Sequence, residues 1–256
     1  MMSDYTGLRK RFYSNDVLIN ALMGIPDPTV GRILGRSGVD FVTLDIEHSP
    51  FTASSLRSCV EAIASTPASC VVRVGSIDEA TIKQVLDLGV GGIQFANIRT
   101  PEQAALAVKW SKFPPLGNRG FGFGRASEFG TDGLRFSREA NDETVILAMI
   151  ESGEGAQNAT QILSVDGIDA LVVGPMDLAM DLGVPLDEPR HEQILAAFER
   201  VLDAGRATGK RVCVGGSPSE TGYWLERGAS LFMHAVDTLI LNSGVGATVA
   251  QARSQM

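Results

Sequence analysis

The sequence predicts a single-domain (β/α)8 TIM barrel, and three observations carry that prediction. Short apolar runs rich in Val and Ile alternate with longer stretches of helical periodicity. Eight such runs fit into 256 residues. The runs are apolar at consecutive rather than alternate positions, as strands of a parallel sheet covered on both faces should be. A doubly wound open sheet shares this local pattern and is the alternative architecture.

The first run, residues 17–23, precedes a helix opening at Asp27-Pro28, with Asp as the cap and Pro at the first helical position. The second, 41–47, leads to a helix over 54–65. The third, 70–74, leads to a helix over 78–88 that Gly89 closes. The fourth, 92–96, is followed by a helix over 101–112 with Thr-Pro at its start. Residues 113–144 then break the rhythm; they are Gly-rich, and the length predicts a lid-like loop. The fifth run, 145–150, precedes a helix over 155–163, and the sixth, 170–173, a helix over 189–207. The seventh, 211–214, precedes a helix over 219–227, and the eighth, 231–236, feeds a terminal helix. No shift in composition divides the chain, so residues 1–256 read as one domain.

Hydrophobic residues make up 44% of the chain and charged residues 20%, which suits one large core and excludes disorder as the main state. No apolar stretch approaches the roughly 20 residues of a membrane-spanning helix. The amino terminus lacks the apolar segment of a secretory leader, so a cytoplasmic location is expected. Cys59, Cys70 and Cys213 are odd in number and lack metal-ligand spacing; they read as small core side chains. A formal charge of −8 argues against non-specific nucleic-acid binding.

A barrel places its site at the carboxyl ends of the strands. Polar residues there are Asp45-Ile46-Glu47-His48, Arg73, Asn97, Glu151-Ser152 and Gly174-Pro175-Met176-Asp177. Glu151 and Asp177 come from different strands and would repel across one cavity unless a cation lay between them. Hard oxygen donors favour magnesium or manganese, with cobalt as a third candidate. The alternative is that each acid caps the helix that follows. Asp45 lies three residues before His48 and could orient its imidazole, which makes His48 the candidate base. His191 and His234 read as solvated and core histidines respectively. Arg73 interrupts an apolar strand and needs an anion, either a substrate oxygen or an ion pair with Glu47 or Glu151. None of the five lysines falls at the carboxyl end of a strand, which argues against Schiff-base chemistry. Gly120-Phe121-Gly122-Phe123-Gly124 follows no predicted strand and fails the context of a dinucleotide-binding turn.

Taken together, Leu44-Asp45-Ile46-Glu47-His48, Val72-Arg73-Val74, Leu86-Asp87-Leu88-Gly89, Phe113-Pro114-Pro115-Leu116-Gly117 with Arg119-Gly120, Ile150-Glu151 and Gly174-Pro175-Met176-Asp177-Leu178 resemble the HpcH/HpaI aldolases. The resemblance implies reversible aldol cleavage of a 4-hydroxy-2-oxo acid into pyruvate and an aldehyde. It implies that Glu151 and Asp177 hold a divalent metal, that Arg73 stabilises the enolate oxygen, and that His48 handles the proton through Asp45 or a metal-bound water. It also implies that the amides of Met176 and Asp177, beside Gly174 and Pro175, receive the substrate carboxylate. Relatives of this kind are trimers of dimers that exchange the terminal helix, with the residue matching Asp87 reaching a neighbour's site. Three departures stand near the substrate pockets: Met149 where many members carry Gln, Phe95-Ala96-Asn97 where many carry a Val-Pro-Met-like end, and a 113–144 segment richer in Gly and Phe than the family pattern. The competing functions are citrate-forming condensation of an oxo acid with an acyl-CoA, and a non-catalytic binding barrel.

Overall fold

The computed structural model describes residues 7–131 and 133–256, residue 134 by its backbone alone. Residues 1–6, which entered the expectation about a leader segment, lie outside the described residues.

Eight parallel strands close into a barrel in sequence order: β1 (Leu18–Met23), β2 (Phe41–Asp45), β3 (Ser69–Val74), β4 (Gly92–Phe95), β5 (Val145–Ile150), β6 (Ala170–Val173), β7 (Arg211–Gly215) and β8 (Leu231–Val236). Because β8 pairs back onto β1, the open-sheet alternative is excluded. The helices are α1 (Gly7–Phe12), α2 (Pro28–Gly35), α3 (Ala53–Ile63), α4 (Glu79–Asp87), α5 (Pro101–Ser111), α6 (Gly133–Glu143), α7 (Gly153–Gln157), α8 (Ala159–Leu163), α9 (Pro175–Asp181), α10 (Glu192–Thr208), α11 (Thr221–Leu225) and α12 (Asp237–Arg253).

Local chemistry starts these helices where the sequence predicts. The side chain of Asp27 accepts from the Thr29 amide with Pro28 at the first turn of α2, and Asp78 accepts from the Thr81 amide at α4. Thr52 with Ser55, and Thr100 with Gln103, form reciprocal capping boxes at α3 and α5. Gly209 ends α10 at φ +68°, a left-handed position that costs glycine nothing.

Each strand turns alternate residues outward to the helices and inward to the axis. Val42, Leu44, Val72, Ile146 and Val173 belong to the outer layer, buried with the helix faces. Phe41, Val71, Leu147, Val172 and Leu231 form the inner layer, where Leu8 and Phe12 of α1 join them. The inner layer seals one end of the barrel, each large side chain contributing about 1.5–3 kcal/mol of burial. Above it the inward positions become polar: Thr43, Asp45, Arg73, Gln94 and Glu151 are all buried.

Two predicted elements differ. Residues 113–144 do not form one lid-like loop, because α6 and a 3-10 turn at Arg125–Gly130 occupy part of that segment. Its anchoring is tertiary: Asn141 exchanges two hydrogen bonds with the Phe113 backbone, at 2.7 and 3.0 Å. Arg119 is buried between the rings of Phe113 and Phe136. The helix predicted over 155–163 is divided into α7 and α8 at Asn158, whose side-chain amide donates to the Arg99 carbonyl at 2.8 Å.

Candidate active site

The carboxyl end of β2 folds back on itself. Asp45 accepts the backbone N–H groups of Glu47 (3.1 Å) and His48 (3.3 Å), and takes two further bonds from the Arg73 guanidinium, at 2.9 Å from Nε and 2.7 Å from Nη2. Burial opposes ionisation of Asp45, but these bonds outweigh it and hold the carboxyl below its ordinary range. The same pair, reinforced by Glu47 and Glu151, raises the Arg73 pKa against the cost of burying a guanidinium.

Asp45 therefore does not orient the imidazole of His48, contrary to the sequence expectation. Its oxygens are taken by backbone amides and by Arg73, which is buried and requires a counter-charge. The neighbour of the imidazole is Glu47, with Oε2 at 3.6 Å from His48 Nε2. His48 stands at the rim with its side chain 61% exposed.

Glu151 follows β5 and is 7% exposed. Burial, then the charges of Glu47 and Asp177, push its carboxyl up to about 7; the Asn97 N–H and Arg73 offset only part of this. Asn97 reaches it from a left-handed backbone, φ +50°, and Arg99 Nε bonds the Asn97 side chain at 2.9 Å. Gly174 lets the carboxylate settle over β6: a Cβ there would stand 2.7 Å from Glu151 Oε2 and 2.6 Å from Met149 Cε. Neither acid caps a helix. Ser152 caps α7, and no side chain caps α9, where Asp177 sits in the exposed first turn.

The structure thus brings Asp45, Arg73, Glu151 and Asp177 into one mouth and leaves His48 on its edge. Asp87 lies apart, ending α4 and paired with Arg119 at 3.1 Å. Glu47 has a larger place than its sequence position suggested. Its Oε2 is buried without a hydrogen bond among the described residues, 3.5 Å from Arg73 Nε. The signal was parity: Glu47 is two residues from Asp45 and turns to the same side. His234 is satisfied by Thr221 Oγ1 (2.8 Å) and the Gly216 carbonyl (2.9 Å), and His191 caps α10. The buried Lys112 lies at the opposite end of the barrel, donating to the Asn141 and Thr144 carbonyls.

Among the described residues, no three His, Cys, Asp or Glu side chains form a ready metal cluster. An orphaned buried carboxylate oxygen and a Glu151 crowded by two acids nevertheless fit a divalent cation. Two carboxylates with water and substrate filling the remaining positions are the usual magnesium arrangement.

The sequence profile of the HpcH/HpaI aldolase/citrate lyase family matches residues 24–239. The chain belongs to this family. The HpcH/HpaI chain is 33% identical to the hydroxypyruvate/pyruvate aldolase of Roseobacter denitrificans, over 92% of its own length and 93% of that protein. A HpcH/HpaI aldolase/citrate lyase family protein from Burkholderia cenocepacia superposes with TM-score 0.92 at 29% identity, covering 97% of this chain and 99% of the other. The citrate synthase SbnG superposes with TM-score 0.88 at 26% identity, covering 97% and 98%. As a family aldolase, this HpcH/HpaI chain is a carbon–carbon lyase.

Proposed function

We propose that the chain reversibly cleaves a 4-hydroxy-2-oxo acid into pyruvate, or a related 2-oxo acid, and an aldehyde. The observation that carries this reading is the guanidinium of Arg73, locked by Asp45 and facing the carboxylates of Glu47 and Glu151 at a strand-end mouth. The similarity to a pyruvate aldolase over nearly the whole chain supports it.

Glu151 and Asp177 would hold a divalent cation, magnesium, manganese or cobalt. When bound, it supplies Lewis-acid stabilisation of the negative charge that develops as the carbon–carbon bond breaks. Arg73 meets the 2-oxo oxygen and stabilises the enolate left after cleavage, its planar fork held in place by Asp45. The Met176 and Asp177 amides, at a helix start without a side-chain cap, receive the substrate carboxylate. His48, with Glu47 beside it, takes the proton of the C4 hydroxyl during cleavage and returns it during condensation.

The assembly we propose is a trimer of dimers. Only Asp237 of α12 is buried, whereas Leu239, Ile240, Leu241, Val245 and Val249 are exposed along one helix. Exchange of α12 between subunits would cover that surface. Asp87 would then complete a neighbour's site. A cytoplasmic location accords with this reading, and no helix among the described residues is long and apolar enough to cross a membrane.

The test is proton–deuterium exchange at the pyruvate methyl group in heavy water, after chelation and after return of magnesium or manganese. Metal-dependent exchange that is lost in Glu151→Gln is the expected result, and no exchange with any divalent cation would overturn the proposal. The likeness to a citrate synthase sustains a second reading, condensation of an oxo acid with an acyl-CoA. Release of free CoA thiol when both substrates are offered would favour it.

A further inference from the structure

Beneath the carboxylates, three inward side chains from adjacent strands meet at one atom. Arg73 of β3 is the register partner of Gln94 on β4, and Gln94 is that of Leu147, two residues before Met149 on β5. All three of Arg73, Gln94 and Met149 are buried, Gln94 to 2% exposure. Arg73 directs Nε and Nη2 to Asp45, which leaves Nη1 facing Met149 Sδ at 3.8 Å. Gln94 Nε2 donates to the same sulfur at 3.3 Å. A thioether is a weak acceptor, so two good donors converge on an atom that fully satisfies neither. The methyl of Met149 reaches under Gly174, close to Glu151 Oε2, which places the sulfur at the floor of the mouth.

We propose that Gln94 is a positioning residue for the aldol reaction. Its amide pins the Met149 thioether against Arg73, so Nη1 keeps its direction while staying available to the substrate's 2-oxo oxygen. The inference rests on the assignment of Arg73 to that oxygen under the proposed function. An oxygen acceptor in the place of the sulfur would engage Nη1 in a charge-assisted bond that the substrate would have to displace. Sulfur holds the donor loosely. Without the Gln94 amide, Met149 regains its three rotatable bonds and the sulfur no longer holds Nη1 in one direction.

The experiment is a double-mutant cycle with Gln94→Met, which keeps length but removes the donor, and Met149→Leu, which removes the sulfur. Pyruvate methyl exchange is measured with metal restored, together with oxalate binding by calorimetry and urea unfolding. Each single variant is expected to lower kcat about tenfold with KM moving less than about threefold, and to weaken oxalate, an enolate mimic. The double variant is expected to fall no more than about twofold below either single, because the two side chains act through one contact. Unchanged kcat in Gln94→Met, or losses that multiply in the double variant, would overturn the proposal. So would a loss matched by global destabilisation while the folded fraction binds oxalate normally. Failure of the wild-type protein to exchange pyruvate protons would instead overturn the proposed function, so the two failures are distinguishable.

Discussion

Glu151→Gln should make the chelator-treated protein more stable at pH 8, even as it removes turnover. The carboxyl of Glu151 rises from an ordinary 4.5 to about 7, because burial and the charges of Glu47 and Asp177 disfavour its anion. Between those two pH values the folded chain binds a proton that the unfolded chain releases. Stability attached to Glu151 is therefore complete below pH 4.5 and is lost as the pH rises to 7. At 1.36 kcal/mol per pH unit, the full cost at pH 8 would be about 3 kcal/mol for a sealed site. The mouth is open beside the exposed Asp177, and solvent screening reduces this to about 1–2 kcal/mol. Glutamine keeps the shape, accepts the Asn97 N–H and carries no charge, so it escapes the cost. Urea unfolding with chelator, at one protein concentration and at pH 4.5, 6 and 8, should show the variant gaining on wild type as pH rises. The two curves should meet near pH 4.5. Magnesium at pH 8 should raise wild-type stability and leave Glu151→Gln unmoved. A variant no more stable than wild type at pH 8 would refute the like-charge crowding on which the cation site rests.

Asp45→Asn leaves a buried guanidinium without its bidentate partner, and should cost about 3–5 kcal/mol in urea unfolding and abolish methyl exchange. His48→Asn removes an exposed rim side chain, so stability should stay within about 0.5 kcal/mol while aldol turnover falls about 10²–10⁴-fold. Gly174→Ala puts a methyl 2.7 Å from Glu151 Oε2; calorimetry should show weakened magnesium binding, with about 1–3 kcal/mol lost in unfolding. The Lys112 ammonium is pushed down to about 8 by burial, so the unfolded chain binds more protons between pH 8 and its ordinary 10.5. Lys112→Met should accordingly flatten a rise in stability over that window, seen as a smaller gain in urea midpoint from pH 8 to 10.

The barrel and the membership of its mouth were legible in the sequence because both follow from local rules. Consecutive apolar residues bounded by caps such as Asp27-Pro28 and Thr100-Pro101 specify strand and helix without reference to the rest of the chain. A barrel delivers every strand end to one side, so Asp45, Arg73, Glu151 and Asp177 could be gathered from spacing alone. What each side chain touches is set by packing across strands. Asp45 turned to Arg73 rather than to His48 because a buried guanidinium 28 positions away outcompetes an imidazole that water can reach. Glu47 was left as the orphan beside both, and Met149 came to stand between Gln94 and Arg73 through strand register that no local pattern expresses. In the same way, α6 emerged from a polar stretch because Asn141 ties it to Phe113, a contact between residues too far apart for periodicity to reveal. Local propensity determined which elements exist and where they end; only closure of the barrel decided which charges face one another, because electrostatic partners are chosen by distance in space and by exclusion of water.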